Sequence, residues 1–110
     1  MTKVFAENKD NYFTLILYGH ATGSETVCAA ISSVVYALAG YLKNTVTGEA
    51  REQPVVELKS GFSSFRFAGK EAESAYDMAV IGLMQLAQKY PEYIQFEKNK
   101  KILEIEGAKK

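Results

Sequence analysis

The chain holds one cysteine and one histidine, and both fall in the stretch YGHATGSETVCAAIS, residues 18–32. A thiol attacks a carbonyl only as its thiolate, so Cys28 would need a device that lowers its pKa from about 8.5. Two devices do this: a helix N-terminus, whose unpaired N–H groups favour an anion, and a neighbouring imidazole. The stretch offers both. Cys28 falls in the first turn or two of an expected helix, and His20 ends the strand that feeds it. The loop of residues 21–24 carries a glycine and lets the chain reverse, so the two side chains can meet. First-turn N–H groups can also hold an oxyanion on the attacked carbonyl. Glu25, three residues before Cys28, can orient His20 or contact a substrate, and Ser32 lies one turn after Cys28 on the same face.

The same residues also suit a purely structural role. Positions 28, 31, 35, 38 and 42 alternate in steps of three and four, which puts Cys28 in an apolar helical stripe. Free cysteine is among the most buried residue types and often acts as a small hydrophobe. A lone histidine at a strand end is often a solvated side chain, and any helix favours a glutamate in its first turn. Spacing alone leaves both roles open.

The elements that must position these residues are legible from pattern. Residues 2–8 and 12–19 are rich in β-branched and aromatic side chains, with a polar turn, NKDN, between them. The second strand is apolar on both parities, as expected of an interior strand at least partly covered on both faces. A helix follows to about Lys43, with Val27, Ile31, Val34, Leu38 and Leu42 in one stripe and Cys28, Val35 and Ala39 beside it. Either Thr22, with Glu25 at capping-box spacing, or Ser24 can cap it. After a polar loop at 44–52, residues 53–59 and 62–68 form a second hairpin around Ser60-Gly61. A second helix spans about 70–90, its apolar face running from Ala72 through Tyr76, Ala79, Val80, Leu83 and Leu86 to Tyr90, and Pro91 ends it. Residues 93–98 are a short strand, and 102–107 another or part of a charged tail.

The expected fold is therefore α+β in two layers. Its order is β-β-α-β-β-α-β, with two helices packed on a largely antiparallel sheet. At 110 residues the chain suits a single domain, 1–110, with residues 98–110 as a charged C-terminal extension. Hydrophobic residues make up 47% and charged residues 24%, a composition able to bury a core without disulfide or metal. Thirteen basic residues balance thirteen acidic ones, which gives no electrostatic case for nucleic acid or an anionic membrane. One histidine and one cysteine cannot build a structural zinc site, and no cofactor is expected. A free thiol, no signal-peptide pattern and no unbroken apolar run of membrane-spanning length together point to the cytoplasm.

The GHA after an apolar strand, followed by a short loop and VCAAIS opening a helix, resembles the ribosomal-processing cysteine protease family, Prp. The order of elements, the overall length and the ending LAQKYPEYIQF of the second helix extend the likeness over about residues 2–97. The resemblance implies a bacterial cysteine endopeptidase, homodimeric, that removes a short N-terminal extension from large-subunit ribosomal protein number twenty-seven. Position by position, it implies Cys28 as nucleophile and His20 as general base. Ser32 matches a serine one turn into the helix, and Gly19 and Ala21 complete the GHA match. Two departures bear on substrate choice: Glu25 stands where the family usually has aspartate, and the loop from His20 to Cys28 is several residues shorter. Two alternatives stand beside the enzyme. One is a non-catalytic dimeric domain that docks on a ribosomal protein or assembling ribosome. The other is a redox-sensing thiol, disfavoured because no resolving cysteine is present.

Overall fold

Asp10 and Asn11 both adopt left-handed backbone conformations (φ 54° and 62°). Asp and Asn tolerate that region, and two such residues in sequence make the tight turn that suits strand twist. The first hairpin therefore closes in two residues. Strand β1 (Thr2–Lys9) takes in Asn8 and Lys9, half of the polar stretch expected as turn, and strand β2 (Tyr12–Tyr18) follows Asn11 directly. In the computed structural model, which describes residues 1–45 and 54–97, the next elements are helix α1 (Glu25–Thr45), strands β3 (Val55–Lys59) and β4 (Phe62–Ala68), helix α2 (Glu73–Lys89) and strand β5 (Ile94–Phe96). A single 3-10 turn, Lys70–Ala72, leads into α2. The possible strand at 102–107 and the extension at 98–110 lie outside the described residues.

The five strands form one sheet in the order β3-β4-β2-β1-β5. Neighbours are antiparallel except β1 and β5, which pair in parallel with Thr2 opposite Ile94. The α+β class and the order of elements agree with the sequence expectation. The parallel docking of β5 is new: the Thr2 N–H donates to the Tyr93 carbonyl (2.8 Å) and the Glu97 N–H to that of Val4 (2.7 Å).

One core lies between the sheet and the helices. Phe13, Leu15 and Leu17 of β2 face it with Phe65 and Phe67 of β4, against Val27, Ile31, Val35, Leu38 and Leu42 of α1. Helix α2 adds Tyr76, whose ring lies 4.9 Å from that of Phe13, centre to centre, in a tilted pair. Val35 rather than Val34 completes the buried stripe of α1. Val34 is half-buried and turned toward α2, where Gly82 leaves it room. As expected, β2 is interior, but its second face is less covered: Tyr12 and Tyr18 are exposed and Ile16 half-buried.

Over Glu25–Asn44, α1 is long and apolar enough to cross a membrane by length and composition, with mean hydropathy 1.4. This differs from the expectation drawn from the absence of an unbroken apolar run. Here the apolarity comes from the core stripe plus small residues such as Ala29, Ala37 and Gly40 on the remaining faces.

Candidate active site

Strand β2 delivers the chain to Gly19, whose backbone (φ 91°) suits glycine alone. A Cβ there would overlap the Met1 carbonyl oxygen, well inside 3.0 Å. The Gly19 N–H donates to the Gly61 carbonyl (2.9 Å), and its own carbonyl accepts from Thr2 Oγ1 (3.3 Å). Gly19 is thus fixed between the chain start and the β3–β4 turn, and His20 follows it with an exposed imidazole.

Ala21 is buried, 1% exposed, and its carbonyl organises the loop. It accepts from the Ser24 N–H (3.2 Å) and from Cys28 Sγ (3.5 Å). Ser24, not Thr22, caps α1: its Oγ accepts from the Val27 N–H at 3.1 Å. Cys28 is the fourth residue of the helix and half-buried. Helical side chains lean toward the N-terminus, which brings its sulfur back over the loop. The Cys28 N–H is already bonded to the Ser24 carbonyl (3.1 Å). The first-turn amides are not all open to an oxyanion. Two of them, at Val27 and Cys28, are engaged, while those of Glu25 and Thr26 have no acceptor among the described residues.

Two hollows meet at Cys28. A cleft of about 510 Å³ runs between α1 and the β3–β4 hairpin, with Cys28, Ser32 and Tyr36 on one wall, Leu58 and Ser63 on the other, and His20 and Gly61 at its end. A second hollow of about 500 Å³ lies over the loop, lined by residues 21–25 and Cys28. The fold therefore brings Cys28, His20, Ser32, Gly19 and Ala21 to one cleft. Glu25 is exposed and belongs to the second hollow, with no bond to His20. Among the described residues no hydrogen bond joins His20 to Cys28.

The cleft walls from Leu58 to Ser63 and at Tyr36 lie outside the site that the sequence suggests. Ser60-Gly61 was recognisable as a turn, but its place beside His20 follows from the pairing of Tyr18 with Phe62, a long-range contact. At the same sheet end the Tyr18 hydroxyl donates to Glu97 Oε1. That hydrogen bond first, then desolvation and the carboxylate charge, raise the phenol pKa above its ordinary value near 10.

A sequence profile described as cysteine protease Prp matches residues 1–95. No curated protein sequence matches the chain. Among solved structures, the ribosomal processing protease Prp of S. aureus with a covalently linked product peptide superposes with a TM-score of 0.74 at 21% identity, covering 90% of this chain and 100% of that one. The same S. aureus protease with a substrate peptide gives 0.70 at 20% identity, again over 90% and 100%. A Streptococcus mutans protein gives 0.69 at 18% identity, over 88% of this chain and 92% of its own. At these identities the likeness speaks for the fold, and the profile match for the lineage. The chain belongs to the Prp family of cysteine proteases.

Proposed function

We propose that this cysteine protease removes the N-terminal extension of a large-subunit ribosomal protein, number twenty-seven of that set, with Cys28 as nucleophile and His20 as general base. The observation that carries the reading is the single cleft that Cys28 and His20 share, open enough for an extended peptide. The S. aureus relative was captured with peptide bound, which supports a peptide substrate for this cleft.

The mechanism balances without a metal or cofactor. His20 takes the Cys28 proton, and the sulfur bonds to the scissile carbonyl carbon. The resulting oxyanion is held by the amides of Glu25 and Thr26 at the start of α1. As the carbon–nitrogen bond breaks, the imidazolium gives its proton to the leaving amine. Water, deprotonated by His20, then cleaves the thioester and restores the thiol. Ser32 contacts the peptide within the cleft and Glu25 in the second hollow, while Gly19 and Ala21 hold the His20 loop.

The same reading makes the protein a cytoplasmic homodimer that does not bind nucleic acid. Met78, Ile81 and Met84, exposed along α2, supply apolar surface for the second copy. Light scattering in solution reads the mass directly, and a monomer at micromolar concentration would exclude the dimer. The catalytic roles are tested by incubating the chain with a peptide that spans the ribosomal extension and following cleavage by mass spectrometry. Cleavage is expected from the parent and lost in Cys28→Ala. Cleavage that survives that substitution would eliminate the proposed nucleophile.

A further inference from the structure

Gly61 lies outside the residues given a chemical role, yet three features converge on it. Pairing of Tyr18 with Phe62 sets the β3–β4 turn directly beside Gly19 and His20. The Gly61 carbonyl accepts from the Gly19 N–H at 2.9 Å, tying the turn to the residue before the histidine. A Cβ at position 61 would stand 2.6 Å from His20 Nε2, 3.1 Å from Cε1 and 3.2 Å from Cδ2. The distal end of the imidazole therefore rests over the Gly61 α-carbon, in space that only glycine leaves open.

We propose that Gly61 is the positioning residue for His20: the turn forms a seat that holds the imidazole at the end of the Cys28 cleft. This rests on the reading of His20 as general base. Two requirements at Gly61 are separable. Its left-handed backbone (φ 72°) serves the turn and is tolerated by asparagine, whereas the missing Cβ serves the ring. Any side chain at 61 pushes the ring back by about 0.8 Å to reach ordinary contact. Because His20 is exposed, the ring yields outward more readily than the turn distorts. A displacement near 1 Å costs on the order of 10²-fold in rate when it moves a group out of productive geometry.

The test uses the full chain and the variants Gly61→Ala and Gly61→Asn. His20 is the only histidine, so its imidazole gives one set of ring signals in a proton–carbon NMR spectrum. Both variants are expected to shift those signals and to lower kcat on the extension peptide by roughly 10–100-fold with KM unchanged. The losses should be alike, although asparagine spares the turn the strain that alanine adds. Ring signals unmoved in both variants would overturn the seat. Parent kcat in Gly61→Asn, with loss only in Gly61→Ala, would trace the effect to backbone strain and overturn it too. Undiminished cleavage by His20→Ala would refute the base and the positioning role together. A parent chain that leaves the peptide uncut refutes the substrate reading, and the ring signals then decide the seat by themselves.

Discussion

Replacing Gly19 by alanine tests the joint between strand β2 and the His20 loop. A non-glycine residue in a left-handed conformation costs about 1–2 kcal/mol, and Gly19 sits at φ 91°. The new methyl also overlaps the Met1 carbonyl oxygen, a backbone atom that yields only if the start of β1 shifts. That shift strains the bonds from Gly19 to Gly61 and from Thr2 to Gly19, each contributing about 0.5–1.5 kcal/mol. Together these give a loss of about 2–5 kcal/mol, a large share of the roughly 5–15 kcal/mol that holds a domain of this size. At about 4–8 °C per kcal/mol, the melting temperature should fall by at least about 8 °C. Circular dichroism melts of parent and Gly19→Ala measure it. The same substitution in a chain lacking Met1 should lose less, because the obstructing oxygen is gone and only the backbone cost remains. A melting point within about 2 °C of the parent in the Met1-containing variant would refute the close approach.

Three further outcomes are expected. His20→Ala should slow peptide cleavage by roughly 10²–10⁴-fold, the usual contribution of a general base, and should slow alkylation of Cys28 by iodoacetamide; equal alkylation rates would separate the two residues. Ser24→Ala removes the acceptor for the Val27 N–H and should cost about 1 kcal/mol in urea unfolding, which a change below a few tenths would contradict. Tyr18 should ionise above the ordinary tyrosine range in an ultraviolet titration, with Glu97→Gln bringing it back down. Its folded pKa is raised, so the stabilising tie is present below pH 10 and lost as pH rises through that higher value. A parent titration indistinguishable from that of Glu97→Gln would remove the tie.

Short-range physics made much of this molecule legible from its residues alone. Alternation and β-branching marked the strands, three-four spacing marked both helices, and the polar stretch NKDN and Ser60-Gly61 marked the hairpin turns. Each of those signals acts within a few residues of chain. The pairing of Cys28 with His20 as candidates was legible for the same reason, since strand end, loop and helix start are consecutive. Tertiary structure decided what depends on distant residues meeting. It chose Ser24 over Thr22 as the cap and turned Val35 rather than Val34 inward. It also docked β5 in parallel on β1 and placed Glu25 in a different hollow from His20. Above all it laid Gly61 beneath the imidazole. Strand register is set by burial of a whole sheet face, so no local pattern around residue 61 could announce that its missing side chain leaves room for His20.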